Sequence, residues 1–185
     1  MIDRCRTVLG IDPGVASGAA VVLDLVGERA TLRSALAWGT TKRRAGPVVR
    51  LWQLLDREQC VAEEMPAALP MRIMQRLEHI GSADLHSAAV ERPITMRHRT
   101  HVPTWEEAGR MAGIVQALTR IDPLRPTAQD WRRAVCGLRH DHSDADTAVA
   151  AWMSDHVELP VMPRWARTAV HDATGVAMFA LKSTR

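Results

Sequence analysis

Three acids stand where a carboxylate is free to do chemistry. Asp12 closes the apolar run Val8-Leu9-Gly10-Ile11 just before Pro13-Gly14, and Glu91 closes Ala88-Ala89-Val90 just before Arg92-Pro93. Asp172 is the only acid in the apolar stretch from Ala166 to Leu181. Taken singly, each has a plain explanation. An aspartate after a β run starts turns, and a strand-end glutamate can be an exposed edge charge. Asp172 is harder to dismiss, because a carboxylate on an apolar helix is costly to bury unless it is paired, hydrogen-bonded or on a metal. If the first strand is central and the fourth lies beside it, Asp12 and Glu91 come together, and a helix packed across them adds Asp172. Hard oxygen donors in that arrangement suit divalent cations.

The elements that must position these acids follow from local pattern. Thr7–Leu25 predicts two strands joined by a tight turn. Val26-Gly27-Glu28 predicts a second turn, and Ala30–Trp38 a third strand. The basic triplet Lys42, Arg43, Arg44 lies in the polar loop that follows and is expected to be a solvated face. From Pro47 the spacing Val48, Leu51, Leu54, Leu55 predicts a helix. Breaks near Pro66 and Pro70 precede a second helical segment, Met71–Ile80, ending at Gly81. The fourth strand is Leu85–Glu91, stopped by Pro93. Next to it, Arg92, Arg97, Arg99, His98 and His101 form a cationic loop able to neutralise phosphates. Pro103-Thr104 opens a long helix, with Glu106 and Glu107 in its N-terminal turn and Met111, Ile114, Val115 and Leu118 on its apolar face. A short fifth strand fits Leu124–Pro126. Thr127 caps a helix that carries Arg132 and Arg133.

The segment HDHSDADTAVAAWM is dense in His140, Asp141, His142, Asp144 and Asp146. It lacks the glycine and terminal glutamate of a calcium loop. Ser143 followed by Asp146 resembles a capping arrangement for a helix over Ala148–Val157, and that is the expected reading.

Bulk composition sets the outer limits. The chain's 185 residues fit one α/β domain, residues 1–185, with a substantial core. A formal charge of +3 permits a nucleic-acid partner without demanding one. Cys5, Cys60 and Cys136 are too far apart for a zinc knuckle and odd in number, which points to a reducing, cytoplasmic setting. No signal peptide is expected, and no apolar run nears the roughly 18 residues of a membrane span. Tyr is absent and Phe occurs once against six Trp, so base stacking would fall to Trp, Met, His or Arg.

In order along the chain, VLGIDPGVASGAAVV, AAVERP, EEAGRMAGIVQAL, PTAQDWRRAVCG and VHDATGVAMFAL resemble the successive motifs of the RuvC-like Holliday junction resolvases, within the RNase H-like nuclease superfamily. The resemblance implies an RNase H-like α/β fold: a mixed five-stranded sheet, three antiparallel strands first and parallel additions after, flanked by helices. It implies Asp12, Glu91 and Asp172 as catalytic metal ligands, and Arg132 as a basic contact to DNA phosphate. The family places a further acid or histidine three residues before its last aspartate, where this chain has Ala169. Matched the other way, the later position is Gly175. His171 is the expected substitute, although adjacent helical residues point about 100° apart, and Asp144 or Asp146 could also lend an oxygen. A family lysine is replaced by Thr147.

The activity so implied is metal-dependent hydrolysis of phosphodiesters at four-way DNA junctions. Two Mg²⁺ ions about 4 Å apart, with Mn²⁺ able to substitute, would activate water and stabilise the leaving oxygen. Arg92, Arg97, Arg99, Arg132 and Arg133 would hold backbone phosphates. Paired cuts favour a homodimer, with the helix from Thr104 to Ile121 as its interface. The alternatives are a nuclease for other branched DNA or RNA–DNA hybrids, and a catalytically silent junction binder. An actin/hexokinase-type ATPase also places an aspartate in a first hairpin, but it needs two such domains.

Overall fold

The computed structural model describes residues 5–26, 29–43, 46–55, 57–65, 72–75, 78, 85–93, 102–138 and 144–184. Its strands are β1 (Arg6–Asp12), β2 (Ser17–Val26), β3 (Arg29–Arg43), β4 (Gly46–Leu55), β5 (Glu58–Glu64), β6 (Leu85–Val90) and the short β7 (Val157–Glu158). The helices are α1 (Val102–Thr119), α2 (Ala128–Cys136), α3 (Ala145–His156) and α4 (Arg164–Ser183). The strands form one sheet in the order β5-β4-β3-β2-β1-β6, with β7 added to β3. The β1 to β5 neighbours pair antiparallel, and β6 joins β1 in parallel.

The expected fold class holds: a mixed sheet with antiparallel strands first, a parallel addition after, and helices on its faces. β1 is central enough to be buried on both sides, which is why Val8-Leu9-Gly10-Ile11 reads as a continuous apolar run rather than an alternating one. Val8, Val21 and Leu23 pack with Val170, Ala173 and Ala177 of α4 and with Trp131 of α2. On the opposite face, Leu9, Ile11, Val22 and Leu36 pack with Met111 and Val115 of α1.

Several local expectations change. The predicted helix from Pro47 is a hairpin, β4 and β5, paired on to β3 from Arg43↔Gly46 to Ser34↔Leu55. β4 is buried on both faces, with Val49 and Leu51 on one and Trp52 and Leu54 on the other, and that spacing imitates a helical stripe. The sheet is therefore wider than five strands. Lys42 and Arg43 continue β3, and Arg43 pairs with Glu63 across the hairpin. Of the second helical segment, residues 72–75 are helical and most of the rest lies outside the described residues. The fifth strand shrinks to a parallel bridge between Leu124 and Ala89. Glu106 and Glu107 fall in the second turn of α1, because the helix starts at Val102. α3 begins at Ala145 after Asp144, which makes no side-chain capping bond, and Ser143 lies outside the described residues. Thr127 caps α2 as expected, in a reciprocal box with Asp130. Among the described residues, no helix is long and apolar enough to cross a membrane.

Candidate active site

The three acids converge from three elements. Asp12 is the last paired residue of β1, opposite Ala19. The turn after it is anchored from β3, where Trp38 Nε1 donates to Gly14 O at 2.9 Å and Thr40 N–H to Ala16 O at 2.7 Å. Glu91 follows β6 directly, and its N–H donates to Ile11 O at 2.9 Å, so parallel pairing locks its backbone beside Asp12. Asp172 arrives on α4. That helix lies unusually close to β1: a Cβ added at Gly10 would stand 2.1 Å from Ala173 O, a contact no side chain tolerates.

Their electrostatics show the closeness. Burial, then the charges of Glu91 and Asp172, push the Asp12 carboxyl well above the ordinary aspartate range, while the Gly14 N–H and the Arg132 guanidinium pull the other way. Glu91 rises from 4.5 to about 7, chiefly through burial, with the Trp131 hydrogen bond opposing and the Asp172 charge adding. Asp172 rises from 3.8 to about 6 through burial, held back by Arg132. Burial is the main cause at all three acids, and Arg132 only partly offsets it; buried hard oxygen donors of this kind match a divalent cation. Among the described residues, however, no three His, Cys, Asp or Glu side chains already stand in a metal-holding group.

Two side chains of α2 organise the acids. Trp131 Nε1 donates to Glu91 Oε2 at 2.7 Å. Its ring lies on Gly175 of α4, where an added Cβ would sit 2.4 Å from Cζ3. The position that could have carried a ligand after Asp172 is thus filled by indole. Arg132 lies over the Trp131 ring, 5.2 Å from its centroid. Its Nη2 bridges Asp172 Oδ1 at 3.4 Å and Asp146 Oδ1 at 3.3 Å.

Of the remaining expected residues, His171 lines a cavity of about 80 Å³ between α3 and α4 together with Asp146, Arg167 and Asp172. Burial and the Arg167 charge lower its proton affinity. Ala169, where a family ligand was missing, is buried in the core. Arg92 is exposed beside Glu91, and Arg133 is exposed on α2. Arg97 and Arg99 lie outside the described residues, as do His98, His101, His140, Asp141 and His142. Trp131 was not singled out from sequence. The available signal was a tryptophan on the apolar side of a short helix, whose N–H needs a partner once buried.

Comparison with family models gives no match, and neither does comparison with curated proteins. Among solved structures, Thermus thermophilus RuvC in complex with a Holliday junction substrate matches with a TM-score of 0.61 and 17% identity, over 97% of this chain and 95% of that one. The chain folds as RuvC does. A second Thermus thermophilus RuvC structure matches with a TM-score of 0.52 and 15% identity, over 94% of this chain and 92% of its own. At these identities the likeness to RuvC is one of fold, and in that respect the resemblance carried by the ordered motifs holds.

Proposed function

We propose that this chain is a divalent-metal-dependent endonuclease that resolves four-way DNA junctions, working as one domain over residues 1–185, as a homodimer in the cytoplasm. The observation that supports it most is the convergence of Asp12, Glu91 and Asp172, from β1, the end of β6 and α4, on a fold like that of RuvC. These carboxylates would hold Mg²⁺, or Mn²⁺ in its place, two ions per site.

A divalent cation, when bound, supplies Lewis-acid charge to the phosphodiester oxygens. The chain's own residues do the rest. Trp131 holds Glu91 Oε2, and the Glu91 carboxylate so fixed would be one of the groups that hold the cation. Arg132 orients Asp172 and offers donors to a DNA phosphate. Arg92, Arg97, Arg99 and Arg133 contribute backbone-phosphate contacts, and His171 shares the small cavity that Asp172 lines. Two such sites related by a dimer axis would make the paired cuts. α1 is the proposed dimer element.

The test is Mg²⁺-dependent cutting of a synthetic four-way junction by wild type and by Asp12→Asn, Glu91→Gln and Asp172→Asn. Each variant is expected to lose roughly a hundredfold or more in rate while still binding the junction. Full activity in all three would sink the proposal. Flap, fork and RNA–DNA hybrid substrates of equal length decide the substrate class. A second reading, a junction binder without catalysis, draws on the buried Ala169 and on the lack of an assembled three-ligand group among the described residues. Tight junction binding by wild type in Mg²⁺ without product would favour it.

A further inference from the structure

The backbone from Leu124 to Pro126 runs parallel to β6 and past its end. Leu124 N–H donates to Ala88 O at 3.0 Å, Val90 N–H to Leu124 O at 2.9 Å, and Arg92 N–H to Pro126 O at 2.8 Å. Side chains alternate along extended backbone, so Glu91 and Arg92 leave on opposite sides. Glu91 turns to Trp131, and Arg92 is exposed. The neighbouring segment brings Arg125 up close to Arg92. Burial, followed by the Arg92 charge, makes Arg125 give up its proton more readily than an ordinary arginine.

Asp130 is, among the described residues, the one acid whose charge interacts with Arg92. Among the described residues, neither Arg92 nor Arg125 forms an ion pair. Arg125 Nε is buried without a hydrogen-bond partner. Asp130 feels the Arg92 charge, but its carboxylate is committed to the α2 cap, accepting from Thr127 N at 2.8 Å and Thr127 Oγ1 at 2.7 Å. Two adjacent guanidiniums, one of them half-buried, repel each other unless an anion sits between them. Their forked donors match the oxygens of a phosphodiester.

We propose that Arg125 and Arg92 form a two-guanidinium clamp for one DNA backbone phosphate, placed on the α1 side of the sheet end and flanking the scissile phosphodiester held on the Glu91 side. The clamp rests on the nuclease reading for its substrate, and it adds Arg125, which no sequence motif marks.

Fluorescence anisotropy with a labelled four-way junction tests it, in an Asp12→Asn background that leaves the DNA intact. Adding Arg125→Met should weaken binding roughly tenfold near about 0.1 M salt and reduce the slope of log affinity against log salt by about 1. Arg125→Lys should keep the slope and lose only part of the affinity. Arg92→Ala, at an exposed position, should reduce the slope by the same amount and carries the test should Arg125→Met not fold. A purely structural Arg125 would instead lower the melting temperature on change to Met and leave the salt slope alone, and that pattern overturns the clamp. Absence of junction binding in the Asp12→Asn background overturns the clamp together with its substrate. Salt slopes that change as expected, in a protein that never cuts DNA, uphold the clamp and remove only the nuclease reading.

Discussion

Trp131 donates its indole N–H to Glu91 Oε2 at 2.7 Å, across 40 positions of sequence. The same ring rests on Gly175. One buried side chain thereby holds a candidate metal ligand and sets the distance between α2 and the helix that carries another.

Trp131→Phe removes the donor together with the distal indole ring, whose Cζ3, Cε3 and Cη2 lie on Gly175. Without that bond Glu91, already at about 7, rises further. The pH giving half-maximal cutting should move upward and the rate near pH 7 should fall. Stability should drop by roughly 1–2 kcal/mol. A pH–rate profile and a urea melt read the two effects separately, and an unshifted profile would discount the role given to the indole.

Proton linkage predicts an unusual pH dependence for the metal-free protein. Glu91 rises from 4.5 to about 7 and Asp172 from 3.8 to about 6, so between these values the folded state binds more protons than the unfolded chain. Stability therefore falls as the pH climbs from the ordinary carboxylate range towards about 7, the reverse of a salt-bridged acid. Urea melts in chelator at several pH values should show this fall. Glu91→Gln should flatten it and melt higher than wild type at neutral pH.

Close packing against α4 leaves no room for a methyl group at two glycines. Gly10→Ala would drive its Cβ to 2.1 Å from Ala173 O, a backbone atom that cannot move without the helix. A loss of roughly 3 kcal/mol is expected. Gly175→Ala presses on the Trp131 ring at 2.4 Å and should cost less, roughly 1–3 kcal/mol, while displacing the indole from Glu91. Thermal melts compare the stabilities, and the cutting rate should fall more for Gly175→Ala than its stability loss explains.

Arg132 lowers the proton affinity of Asp12, Glu91 and Asp172 together. Arg132→Met should leave more protons on these acids at neutral pH, so that Mg²⁺ uptake releases more of them. Calorimetry in two buffers of different ionisation enthalpy measures that release. Arg132→Lys should return part of the way to wild type, and equal proton release in Met and wild-type proteins would discount the shared influence.

What the chain declares locally is considerable. The apolar run into Asp12, the strand stopped at Pro93 beyond Glu91, the Thr127 cap and the solitary acid on the last apolar helix are each encoded within a few residues. The parallel β1–β6 pairing then brings Asp12 and Glu91 together as expected. The β4–β5 hairpin was not legible, because Val49, Leu51, Trp52 and Leu54 satisfy a two-faced strand and a helical stripe equally well, and only the pairing with β3 separates them. Nor could sequence show that Trp131 reaches Glu91, that Arg132 spans Asp146 and Asp172, or that Arg125 comes up beside Arg92. Those relationships depend on residues far apart in the chain meeting where the sheet ends. By itself the sequence determined which carboxylates finish their elements, since capping, turn chemistry and apolar runs are short-range. Tertiary structure alone decided what faces each carboxylate, because burial and neighbouring charge arise only once the helices close over the sheet.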